Sequence, residues 1–219
     1  MSMVRFSFLA IIAVFSLACQ EKVAHREEIH MGTTVAITAS GRGDLEAKIS
    51  KAFQEIERIE GLMSEWADSS EVSQINAFAG LKPVRVSAEL IKVLSLAREV
   101  SKASDGAFDV TFAPLRELHS KPSPPTPEAV RAKLNLVGWQ WLSIEPEDRM
   151  AYLKRKGMMI GLGGIAKGYA VDRAILALRQ TGVNGALVNA GGDLCCFGKN
   201  RGRPWRIGIK DPFHPLSHI

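Results

Sequence analysis

Cysteine is scarce in this chain. The three present are Cys19, Cys195 and Cys196. The last two are sequence neighbours, a poor pair for an unstrained disulfide. No CxxC and no Cys/His ligand spacing occurs, which argues against zinc. Cys195 and Cys196 are read as strand filling. Charge of one sign is not concentrated either: the formal net charge is +5 over 219 residues. With no basic block, nucleic-acid binding is not indicated. Internal repeats and low-complexity tracts are absent, and no hydrophobic run is long enough to cross a bilayer comfortably as a permanent helix.

The longest apolar run lies at the N-terminus. Arg5 is the only charge before Cys19, and Phe6 to Ala18 is apolar or small, ending in Ser16-Leu17-Ala18-Cys19. These are the n-region and h-region of an export signal. A small residue directly before cysteine resembles a bacterial lipobox, with Ser16 where leucine is usual. The reading is a signal peptide over residues 1–19 and a lipid anchor on Cys19. The alternatives are a cleaved soluble protein and an uncleaved anchor. Removing Arg5 with the signal takes the charge from +5 to +4, since 5 − 1 = 4.

The remaining chain, residues 20–219, is long enough for one substantial core. Val35 to Thr38, led by Met31-Gly32-Thr33-Thr34, reads as a strand. Leu45, Ile49, Ala52, Phe53, Ile56, Ile59, Met63 and Trp66 recur at three-to-four-residue spacing, an amphipathic helix with Asp44 as N-cap. Asp68-Ser69-Ser70 breaks it, and Glu71 to Phe78 reads as a short helix. Ser87 caps another helix marked by Leu90, Leu94, Ala97 and Val100. Phe108 to Phe112 has strand alternation, and a proline-punctuated loop then leads to Thr126-Pro127, an N-cap with proline in the first helical position. Two short strands are expected near Trp141 to Glu145 and Met150 to Leu153. Ile165 to Gln180 reads as a helix closed by Gly182, followed by strands at Ala186 to Asn189 and Trp205 to Lys210. Helices first and mixed strands later give an α+β fold.

The most informative stretch is Met158 to Asp172. A β-like run stops at Gly161, Gly163 and Gly164, and a helix starts with Lys167 in its first turn. Glycines at such a junction let backbone approach a ligand, and a helix N-terminus offers N–H groups to an anion. Lysine adds a point charge for phosphate. A Walker A loop fails, because Lys167 follows Ala166 and precedes Gly168. Gly161-x-Gly163-x-x-Ala166 does fit the dinucleotide fingerprint, although the next strand ends in Asn189 rather than an acid. A Rossmann-type nicotinamide enzyme is therefore the runner-up.

Four further segments combine unusual residues: Met31-Gly32-Thr33; Met63-Ser64-Glu65-Trp66 with Ser70 to Asn76; Asp105 to Thr111; and Asn189 to Asp193 with Trp205 to Lys210. In this order around the glycine cluster they resemble the FAD:protein FMN transferase family, also called the ApbE family, from about Met31 to Pro212. The resemblance implies a T-fold-like arrangement of mixed sheets with flanking helices. It implies a periplasmic, often lipid-anchored enzyme that splits FAD, transfers FMN to a Thr or Ser hydroxyl of an acceptor protein, and releases AMP with magnesium.

Carried to this chain, the resemblance assigns Met31, Trp66, Ala107, Phe108, Asp109 and Lys167 to FAD. Met31 would pack on the flavin and Asp109 would accept a hydrogen bond. Lys167 and Asn76 would serve catalysis beside the phosphates, and Gly164 would lend its carbonyl to magnesium. Trp66 has an equally good reading as the last apolar residue of its helix. Two departures stand out. Position 161 is glycine where the family usually has aspartate, which removes an expected FAD contact. The family also continues beyond this point with magnesium-binding Asp and Thr residues, so the chain is expected to be C-terminally truncated, as a slow transferase or a flavin binder only. Ser217-His218-Ile219 echoes the start of a later family motif.

Overall fold

The computed structural model describes residues 21–118, 124–209, 211 and 213. The signal segment with Cys19, Lys210, Pro212 and Ser217-His218-Ile219 lie outside the described residues. The chain forms two compact units: one from the segments up to Glu55 and from Val171 onward, the other from Ile56 to Ala170.

The first unit is built on four strands: β1 (Lys22–His30), β2 (Thr33–Gly41), β6 (Gly185–Ala190) and β7 (Asp193–Gly198). Their order is β1-β2-β6-β7, and every neighbouring pair is antiparallel. Met31 and Gly32, at φ 53° and 73°, form the two-residue turn between β1 and β2. Positive φ at both central residues suits the twist of a tight hairpin. Gly191 and Gly192 do the same between β6 and β7, at φ 60° and 102°, and Asn189 Oδ1 accepts from Gly192 N at 2.8 Å. Val35, Ile37, Ala39, Ala186, Val188 and Ala190 are buried, as are Leu45, Ile49 and Ala52 of helix α1 (Leu45–Met63) and Ala174 and Leu178 of helix α5 (Ala166–Gln180). Each fully buried Val, Leu or Ile side chain contributes about 1.5–3 kcal/mol relative to exposure.

The second unit takes α1 from Ile56 onward, then α2 (Glu71–Ala77), β3 (Val84–Arg85) and α3 (Ala88–Ala103). A 3-10 helix (Val110–Leu118), α4 (Pro127–Leu134), β4 (Leu142–Glu145) and β5 (Met150–Leu153) follow, with the first turn of α5 at the end. Its sheet has the order β3-β5-β4 and is antiparallel throughout. The caps are side-chain oxygens accepting helix N–H groups: Asp44 from Ala47, Ser70 from Ser73, Ser87 from Leu90 and Thr126 from Ala129. Glu71 ties two of these helices together, accepting from both the N–H and the hydroxyl of Ser87 at 2.9 Å.

The α+β expectation holds. The Rossmann alternative does not: both sheets are antiparallel, so the parallel βαβ unit that the fingerprint requires is absent among the described residues. Four local expectations are also corrected. Phe108 to Phe112 is not a strand; Asp109 caps a turn there, and the chain winds into the 3-10 helix. Trp66 does not belong to α1, which ends at Met63. Met158 to Ile160 is apolar and ladder-free, with the backbone of Ile160 satisfied by the Asn76 side chain instead. Trp205 to Ile209 forms no strand among the described residues, and Ile207 and Ile209 are exposed.

Candidate functional site

The site grows around the segment from Met158 to Lys167. Met158, Ile160 and Leu162 are buried, while Gly163 and Gly164 between that anchor and α5 are exposed. Asn76, on α2, fixes the buried part. Its Oδ1 accepts from Ile160 N at 2.7 Å and its Nδ2 donates to Ile160 O at 3.0 Å. One amide thus supplies the two hydrogen bonds a neighbouring strand would give. Gly161 N donates to Val110 O at 2.8 Å, and Leu162 O accepts from Ile165 N and Ala166 N at 2.9 and 2.8 Å. The backbone is held on both sides of the turn.

The exposed turn meets an aromatic ring and a cation. A Cβ at Gly164 would lie 3.2 Å from Phe108 Cε2, so the ring packs close to that backbone. At Gly163 no atom lies within 4 Å of a built Cβ, leaving the space open. Lys167 Nζ donates to Gly163 O at 3.0 Å, which holds the ammonium over the turn.

Asp109 organises the neighbouring loop. Its Oδ1 accepts from Thr111 N at 2.8 Å and Thr111 Oγ1 at 2.7 Å, and its Oδ2 accepts from Trp139 N at 2.8 Å. Three donors on one carboxylate lock Phe108 and the start of the 3-10 helix in place. Ala107 is exposed in the turn after α3, with its N–H donating to Ser104 O at 3.0 Å.

Glu65 and Arg116 were not singled out from the sequence. Arg116 pairs with Glu65 through both guanidinium nitrogens, with Nη2 to Oε2 at 2.5 Å. Its guanidinium carbon lies 4.9 Å from the Trp66 ring centroid and 5.4 Å from that of Phe112, within cation–π range. Trp66 itself is 79 % exposed. The partners are far apart in sequence, so no local spacing announces them; the one signal was Glu65 beside Trp66 in an unusual segment.

The second unit therefore brings together Phe108, Asp109, Gly164 and Lys167 at one turn, with Asn76 anchoring it and Trp66 beside Arg116. Met31 belongs to the first unit, at the tip of its hairpin. For magnesium the fit is poor. Among the described residues no three His, Cys, Asp or Glu side chains gather as a metal-binding group. Gly164 offers a single carbonyl, and Glu65 is already paired with a guanidinium.

The ApbE family model matches residues 31–219. An FAD:protein FMN transferase of Klebsiella pneumoniae is 36% identical over 77% of this chain and 53% of its own length. One from Haemophilus influenzae is 32% identical over 93% of this chain and 64% of its own. The solved flavin transferase ApbE of Vibrio cholerae superposes with a TM-score of 0.82 at 28% identity, over 88% of this chain and 65% of that one. The ApbE protein of Thermotoga maritima gives 0.82 at 28%, over 90% and 67%. The chain thus spans between about half and two thirds of the length of the curated relatives it matches. With the family model covering residues 31–219 and the backbone superposing on solved ApbE structures, this protein belongs to the ApbE family.

Proposed function

We propose that the protein is an FAD:protein FMN transferase. FAD would bind at the exposed glycine turn, and a Thr or Ser hydroxyl of an acceptor protein would attack the phosphorus of the FMN half. The new bond joins that oxygen to phosphorus, and the bridging P–O bond breaks. AMP leaves with the bridging oxygen, while the hydroxyl proton passes to solvent or base. The observation that carries this reading is the convergence of Phe108, the bare backbone of Gly163 and Gly164, and Lys167 at one turn.

The roles follow from chemistry. Lys167 neutralises charge that builds on the phosphate oxygens. Phe108 flanks the flavin, with Trp66 as a further apolar contact and Ala107 leaving room beside the ring; a flavin contact for Met31 rests on the family resemblance alone. Asn76 and Asp109 hold the turn and the ring in register, because a misplaced turn forfeits the advantage of oriented reactants. Magnesium belongs to the same proposal, with the Gly164 carbonyl as one donor. Because the described residues do not fit the ion by themselves, the roles above fall to the chain's own groups.

Export and lipid anchoring through Cys19, facing the bacterial periplasm, are part of this reading and rest on the N-terminal sequence. No helix among the described residues is long and apolar enough to cross a membrane. A second reading, a flavin binder without turnover, draws on Glu65 being paired with Arg116 instead of open to a metal. Incubation with FAD, magnesium and a threonine-bearing acceptor peptide separates the two. The transferase reading predicts AMP in equal amount to FMN-labelled peptide. Bound FAD with no AMP after prolonged incubation overturns transfer and leaves the binder.

A further inference from the structure

Glycine at 161 has no conformational reason to be there. Its φ lies outside the left-handed region, so any residue could adopt its backbone. What excludes a side chain is a neighbour: a built Cβ would sit 2.3 Å from Glu65 Oε2 and 3.2 Å from Glu65 Cδ. A carboxylate end ordinarily swings away from such a clash, but this one is held. Its side chain is only 8 % exposed and is gripped by Arg116, which is flanked by Trp66 and Phe112. The backbone cannot retreat either, since Gly161 N is bonded to Val110 O and Ile160 to Asn76.

Resting on the function proposed above, we infer that Glu65 supplies, from the segment after α1, the carboxylate that an aspartate at 161 would otherwise bring to the glycine turn. The two positions would then be an exchanged pair. Arg116 is the positioning residue: it orients Glu65 against Gly161, at the start of the glycine turn, where the carboxylate accepts a hydrogen bond from a hydroxyl or N–H of the flavin nucleotide. Gly161 is the consequence, a vacancy that the long side chain fills from outside the turn. The apparent loss of a site carboxylate is its relocation.

The test is a double-mutant cycle in the full chain, with Gly161→Asp, Glu65→Ala and the combination, each read by thermal melting and by FAD titration. Gly161→Asp alone sets two carboxylates against each other and should lower both melting temperature and FAD affinity. Glu65→Ala alone should weaken FAD binding roughly tenfold, the scale of one charge-assisted hydrogen bond. The combination should recover most of both, because a carboxylate again faces Arg116 and the turn. Glu65→Gln, which keeps the shape but turns an NH2 toward Arg116, should melt somewhat lower yet stay folded, and should weaken FAD binding. Additive losses in the double variant, or parental FAD affinity in Glu65→Gln, would overturn the proposal. If the parent itself binds no FAD, the functional reading fails and with it the ligand contact; the melting coupling alone then decides whether 65 and 161 exchange.

Discussion

The amide of Asn76 holds the main chain of Ile160 in both directions, at 2.7 and 3.0 Å, across a sequence separation of 84 residues. It replaces a missing strand with one side chain, and the glycine turn begins at the next residue. Replacing Asn76 with alanine orphans a buried N–H and a buried carbonyl at once. The expected loss is about 3 kcal/mol, read by urea denaturation, with FAD affinity falling because the turn loosens. A change below about 0.5 kcal/mol would show that the clamp is idle.

Asp109 gives a sharper substitution. Both of its oxygens accept N–H or O–H donors, and an asparagine has only one acceptor oxygen. Whichever way the amide turns, its NH2 group faces a donor, either Trp139 N or Thr111. Asp109→Asn should therefore cost about 1–3 kcal/mol despite its unchanged shape. Chemical denaturation measures it, and parental stability would mean that the loop is held by something else.

Lys167 should separate binding from folding. It is half-buried on the first turn of α5, and its ammonium is held to Gly163 O. Lys167→Ala should leave the unfolding midpoint almost unchanged while weakening FAD roughly tenfold, about 1.4 kcal/mol. Unaltered FAD affinity would remove the assigned role.

Cys195 offers a pH-dependent prediction away from the site. Burial first, and then the negative charge of Asp172, push its thiol above the ordinary value. The fold thus favours the neutral thiol. Its contribution to stability is fully present below the pKa of the unfolded chain and is lost as pH rises through the higher folded value. In a Cys196→Ser variant, iodoacetamide at mildly alkaline pH should label native Cys195 more slowly than the same residue unfolded in urea, because the thiolate is the nucleophile. Equal rates would contradict the shift.

Much of the fold was legible because its signals are local. The three-to-four spacing from Leu45 to Met63, the caps at Asp44, Ser87 and Thr126, and the short strands β4 and β5 each lie within one element. What was hidden depends on distant partners. β1 carries few apolar residues, since its neighbour β2 supplies the pairing. Phe108 to Phe112 alternates like a strand, yet Asp109 and Thr111 bond to each other and start a 3-10 helix. The glycine turn and Lys167 are legible as a candidate site from local sequence alone. Glu65 and Arg116 did not, because a residue from beyond α1 fills the space left empty at Gly161.

The proposed flavin-nucleotide site is built from the glycine turn, Phe108 and Lys167. Its most direct test is parallel calorimetric titration of the purified protein with FAD and with NAD, the FAD arm checked by quenching of flavin fluorescence. The account predicts saturable FAD binding with quenched fluorescence and clearly weaker binding of NAD. NAD binding as tight as FAD or tighter, or no FAD binding at all, would contradict it.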